Sequence, residues 1–222
     1  MKENPTIEQT AIRITSLEQK LSNGFSVFNG LRRKKILKLE FEQRELIHKF
    51  LADTNQEFKD LVEEQYSILS GAKMKFKTYK TRGTATSSYS YSFEGLLRSN
   101  GHGYLDVKKS SFALGMMYSS HFEGEISPYG NIAMKSTQVG TSLVNSFPTA
   151  FEGEVFEKGY FQLQTKSTDW EVLSEGIALS MIGSVLTDSS KTKRFFSNRD
   201  ALIRLRDEYK ADIEKKTDGK VS

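Results

Sequence analysis

The chain has 222 residues, 32 Lys and Arg against 28 Asp and Glu for a net charge of +4, 37% hydrophobic residues and no cysteine. That composition belongs to a globular chain able to bury about two-thirds of its unfolded surface without staples. The missing thiols exclude disulfides, iron–sulfur clusters and cysteine-ligated zinc. No apolar run approaches the roughly 18 residues of a spanning helix, and Met1-Lys2-Glu3-Asn4-Pro5 lacks a secretion signal's apolar stretch, so a cytoplasmic location is expected.

Charge is unevenly placed: residues 1–83 carry +5, residues 84–190 carry −5 and residues 191–222 carry +4. Such asymmetry bears on association rather than on fold. It predicts either basic ends docking on an acidic body or an anionic partner.

Helical spacing runs from residue 6 to about 70. Thr6-Ile7-Glu8-Gln9 has the capping-box pattern, and Ile7, Ala11, Ile14, Leu17 and Leu21 follow at three-to-four spacing. Asn23-Gly24 and Asn29-Gly30 interrupt it. A second helix is expected over 31–52, carrying Ile36, Leu39, Leu46, Ile47, Phe50 and Leu51. Thr54-Asn55-Gln56-Glu57 reads as another capping box, opening a third helix with Phe58, Leu61, Val62, Gln65 and Leu69. Gly71 stands where a helix C-terminus takes positive φ.

From Lys73 the period changes to 2, with Lys73, Lys75 and Lys77 alternating with Met74, Phe76 and Thr78. The most specific signal is an internal repeat. Phe93-Glu94-Gly95, Phe122-Glu123-Gly124 and Phe151-Glu152-Gly153 recur at intervals of 29 residues, each preceded four positions earlier by Tyr89, Tyr118 or Phe147. Each is followed by a glycine-bearing turn and a second alternating run. On a strand, residues four apart share a face, so the aromatics point one way and the glutamates the other. Three hairpins plus the Lys73 strand make an antiparallel meander of about seven or eight strands, a size that tends to close because closure removes unpaired edges.

Thr168-Asp169-Trp170-Glu171 reads as the start of a helix over 169–187, with Trp170, Leu173, Ile177, Met181 and Val185 as its stripe and small residues elsewhere. Ser189 to Arg194 reads as a polar basic loop. Ser197 then caps a last helix carrying Leu202, Leu205, Tyr209 and Ile213.

The expected fold is therefore α+β. An antiparallel β-meander barrel or half-barrel with three hairpin repeats (72–168) is flanked by an N-terminal helical hairpin (1–71) and C-terminal helices (169–222). Phe-Glu-Gly-Glu hairpins resemble MORN repeats only in part, since those recur at a shorter spacing with more glycines. A barrel between helices is similar in architecture to lipocalin-like binding barrels.

The sequence carries no Walker loop, no Gly-x-Gly-x-x-Gly and no nucleophile elbow, and no metal-ligand set can be assembled from its three histidines. No cofactor is expected. The leading reading is a non-enzymatic binding module. Its barrel takes a small polar or nucleotide-like ligand, or a protein partner, through Tyr89, Tyr91, Tyr118, His121 and Glu123, and its helices mediate self-association. One alternative is a nucleic-acid-associated protein using Lys73, Lys75, Lys77, Lys191, Lys193 and Arg194. Another is a hydrolytic enzyme with a carboxylate or histidine site at the barrel mouth.

Overall fold

A computed structural model describes residues 6–22, 29–82, 89–111, 116–137, 150–165 and 178–218. The chain divides into two compact units, residues 1–62 with 200–222, and residues 63–199.

The first unit is helical. In α1 (Ile7–Ser22) the expected capping box forms: the Gln9 amide donates to Thr6 Oγ1 at 3.2 Å and the Thr6 amide to Gln9 Oε1 at 3.1 Å. Ile14 of α1 packs with Ile36 and Leu39 of α2 (Asn29–Thr54). The second capping box is shifted by one residue. Thr54 remains in α2, its hydroxyl donating to the Phe50 carbonyl at 2.7 Å, while Asn55 caps α3 (Gln56–Leu69) by accepting from the Phe58 amide at 3.0 Å. Asparagine is the stronger cap of the two.

The second unit is an eight-stranded antiparallel barrel: β1 (Lys73–Arg82), β2 (Tyr89–Leu97), β3 (His102–Ser111), β4 (Met116–Ile126), β5 (Asn131–Ser136), β6 (Ala150–Phe156), β7 (Tyr160–Thr165) and β8 (Ala178–Ser184). Consecutive strands pair, and β8 returns to β1 to close it.

β8 corrects the helix expected over 169–187. Residues 178–184 are strand, and Thr168 to Ile177, with Trp170, lie outside the described residues. Met181 and Val185 are four apart, a spacing that gives one face on a helix and equally on a strand. The small residues read as helix packing serve strand packing instead. A Cβ at Gly183 would sit 2.4 Å from the Lys75 carbonyl oxygen and 2.5 Å from the Phe161 ring.

The C-terminal segment is one helix, α4 (Ser189–Asp218), rather than a basic loop followed by a helix capped at Ser197. Asp188 caps it, accepting from the Ser190 amide at 2.7 Å and the Lys191 amide at 3.0 Å.

The repeat has a structural reason. Phe122 and Phe151 are fully buried inside the barrel and Phe93 packs against the same core. The glycine two residues after each phenylalanine faces inward too, where the neighbouring strand leaves no space for a side chain. A Cβ at Gly124 or Gly153 would lie 1.9 or 1.8 Å from the carbonyl oxygen of Ala133 or Gln162. The opposite end is plugged by Ile68 and Leu69 of α3 and Phe195 of α4, which join Leu97, Ile126 and Val155 in one core. Gln65, fully buried, ties this plug by donating to the Pro128 carbonyl at 2.8 Å and the Phe195 carbonyl at 3.0 Å.

Gly153→Ala is expected to destabilise the barrel by about 2 kcal/mol or more through forced strand separation, while Glu154→Ala, at the exposed next position, stays within about 0.5 kcal/mol. Urea midpoints of the two variants test this; equal midpoints would contradict the close approach.

Candidate functional site

Strand parity sorts the candidate residues onto two walls. Tyr91, Phe93 and Leu97 of β2, and Leu105, Val107 and Lys109 of β3, all point inward, as do Ser120, Phe122 and Ile126 of β4. His121 and Glu123 alternate with these and lie on the outer wall. The predicted set is thus split: Tyr91 belongs to the interior, His121 and Glu123 to the exterior. Tyr89 pairs in register with Ser111 and Tyr118 with Lys109. Their side chains lie outside the described residues.

The interior is graded. Towards the plugged end it is apolar, with Leu97, Leu105, Met134, Val155 and Leu163 essentially inaccessible. Beyond the repeat phenylalanines it becomes polar: Tyr91 is 8%, Lys109 4% and Ser120 3% exposed. Half-buried Ser136 and Thr165, in register with Phe122 and Phe151, continue that belt. Connections 83–88, 112–115, 138–149 and 166–177 lie outside the described residues.

Lys109 is the residue that sequence reasoning passed over. It shares the inward parity of Leu105 and Val107, a signal visible in the sequence. Its register partners on either side are Tyr91 and Tyr118. Burial pushes its ammonium group below the ordinary lysine pKa.

Beside it the barrel wall is thin. Among the described residues β1 and β2 share the Lys73–Leu96 and Met74–Gly95 pairs, whereas β1 and β8 remain paired from Lys75 to Arg82. A bulge between Phe76 and Thr78 shifts the register. The alternation read from sequence put Thr78 on the face of Met74 and Phe76; past the bulge it is Tyr79 that stands opposite the inward Met181. The Tyr79 ring occupies the seam, with its centroid 5.7 Å from Tyr91 and 5.4 Å from Phe93, and its hydroxyl accepts the Tyr91 amide at 3.3 Å. Phe76 adds to this wall, 5.2 Å from both Phe93 and Phe161.

The outer wall holds a separate charged cluster. His121 Nδ1 lies 2.6 Å from Asp106 Oδ1 and its Nε2 lies 3.5 Å from Glu123 Oε1. Its ring stacks on Tyr104 at 5.7 Å, over which Arg98 sits at 5.4 Å. Among the described residues no group of three or more His, Asp or Glu is arranged to hold a metal ion.

Of the basic residues, Lys73 and Lys75 are exposed on the outer face of β1. Lys77 is engaged by Tyr160, donating to its hydroxyl at 3.1 Å, and Arg194 pairs with Glu64. Lys193 lines a concavity of about 480 Å³ with Lys158, Glu157 and Phe196, and Lys191 is exposed in the first turn of α4. The helix-start amides that would hold an anion there are already taken by Asp188.

No protein family, curated protein or solved structure matches the chain, and the site is read from its own geometry.

The hydrogen bond to Asp106 raises the His121 pKa, while burial lowers that of His48 in the helical unit. The His121 contribution to stability is therefore complete below the ordinary value of 6.5 and is lost as pH rises through its elevated folded value. In an NMR titration His121 should titrate above His48, and Asp106→Asn should bring it down towards the ordinary value. An unmoved His121 would show that the contact does not set its charge.

Proposed function

We propose that the protein is a non-enzymatic binding module whose barrel takes up a small polar ligand in the graded half of its lumen. One observation carries this: Tyr91, Lys109 and Ser120 are buried on the inner wall next to a seam where β1 and β2 part. A barrel that needed only a core would carry apolar side chains there as it does around Leu105 and Met134. Polar groups placed among rings are instead what fixes the orientation of a bound molecule. At the seam the Tyr79 ring is 38% exposed.

The neutral dye phenylnaphthylamine tests this. It should bind the wild-type chain saturably, one molecule per barrel, with enhanced fluorescence, and Ser120→Phe, which fills the inner wall, should abolish binding at unchanged fold. Undiminished binding by that variant would place the dye elsewhere and remove the support.

The helical unit supports self-association with a second copy of this chain. Leu37 and Phe41 of α2 are 65% and 63% exposed and lie one turn apart on one face. The charges of α2 are polarised along its length: residues 29–39 hold five basic and no acidic side chains, residues 40–54 four acidic and two basic. Antiparallel pairing of two α2 helices about this patch brings exposed Lys34 of one copy towards exposed Glu45 of the other and covers both apolar side chains. Sedimentation velocity should show a dimer that Phe41→Glu converts to monomer; a monomeric wild type would reject the pairing.

A further inference from the structure

We propose that the concavity of about 480 Å³ between the β6–β7 turn and the start of α4 binds a small phosphate monoester, its phosphate on Lys158 and Lys193 and its apolar part against Leu186 and Phe196. The site lies outside the lumen and stands independently of what the lumen binds. Its volume falls in the range of small-molecule sites, about 300–1,000 Å³.

Backbone contacts tie the walls of this cavity together. The Gly159 carbonyl accepts the Val185 amide at 2.9 Å and the Leu186 amide at 3.2 Å, joining the β6–β7 turn to the link between β8 and α4. A Cβ at Gly159 would lie 2.2 Å from the Leu186 carbonyl oxygen, so a side chain there would force the two segments apart. The opening turns of α4 supply the rest. Ser189, Lys193 and Phe196 follow at spacings of four and three, which sets them on one helix face, and all three line the cavity. Phe196 is held edge-on to Phe195 with centroids 5.4 Å apart, and Arg199 lies 4.5 Å from its ring centre.

Charge selects the ligand. Among the described residues neither Lys158 nor Lys193 forms an ion pair, although Glu157 lines the same cavity. Lys158 also acts through its charge on Tyr160, adding the smallest part to a pKa lowered chiefly by the Lys77 hydrogen bond. The helix-start amides take no part, because Asp188 accepts from Ser190 and Lys191. An anion here is therefore held by side chains. A phosphate monoester carries about 1.5 to 2 negative charges at neutral pH, which two ammonium groups match better than they match a single carboxylate. The exposed hydroxyls of Thr187 and Ser189 line the cavity as further donors.

The turn gives a second, independent pointer to Lys158. In the β2–β3 hairpin the equivalent turn, Ser99-Asn100-Gly101, holds Asn100 at φ 58° and Gly101 at φ 74°; in Glu157-Lys158-Gly159 the angles are 66° and 74°. Asparagine tolerates this left-handed conformation better than lysine does. At Lys158 the backbone favours asparagine, and the side chain present is instead a cation lining the cavity.

Phenyl phosphate is the probe, with inorganic phosphate and benzyl alcohol standing for its two halves. In isothermal titration calorimetry at low salt it should bind wild-type protein at one site, about tenfold or more tightly than either half. Lys158→Asn and Lys193→Gln should each weaken it about fivefold or more, whereas Lys108→Gln, which removes the same charge from the exposed face of β3, should stay within about twofold. Lys158→Asn should melt no lower than wild type, since asparagine suits the turn, so its lost affinity reports the cation and not the fold. Absence of phenyl phosphate binding overturns the proposal, and so does affinity unchanged in both cavity variants. Equal weakening by Lys108→Gln would reduce the effect to net charge and overturn it too. Inorganic phosphate binding as tightly as phenyl phosphate would remove the apolar half and with it the assigned ligand class.

Discussion

Everything in the barrel follows from how closely its strands approach one another. Inward-facing Gly95, Gly124, Gly153 and Gly183 leave room on the concave side for the backbone or side chain of an adjacent strand, and a methyl group at any of the four would meet another atom inside 3.0 Å. Three of these glycines belong to the repeated tripeptide, which explains the invariance of its third residue. The phenylalanine two residues earlier fills the space that the glycine leaves open. Alternation of one large and one absent side chain along a strand is the arrangement a small closed barrel requires.

Closure then dictates where polarity can go. With the plugged end filled by α3, α4 and the hairpin-end apolar residues, the inward polar side chains of the described strands Tyr91, Lys109 and Ser120 lie in the other half. Burying a lysine costs free energy that its surroundings must offset. Lys109, at 4% exposure, therefore stands out against Leu105 and Val107 on the same strand face.

The β body was legible because period-2 alternation and the tripeptide repeat are both local. Its strand count and closure followed from length and edge pairing. What escaped had definite causes. β8 was taken for a helix because Met181 and Val185 satisfy both periodicities, and only the presence of β7 and β1 on its two sides decides between them. The start of α4 looked like a loop because its first turn is polar, although Asp188 was in place to cap it. At the candidate site, Tyr91 was found through its aromatic phase. His121 and Glu123 were grouped with it despite opposite parity, and Lys109 was missed although parity alone identified it. Tyr79 could not be found that way, since the bulge that turns it inward leaves no mark in the residue pattern.

That bulge sets which face the rest of β1 turns to the core. Before it, even-numbered Met74 and Phe76 face the core; after it, odd-numbered Tyr79 does. Lys77 is the extra residue that sets this phase: in an uninterrupted ladder it would stand opposite Ile182 and Thr78 opposite Met181, sending Thr78 inside and leaving the aromatic ring on the surface. Looping Lys77 out of the ladder is thus what keeps Phe76 and Tyr79 on one face.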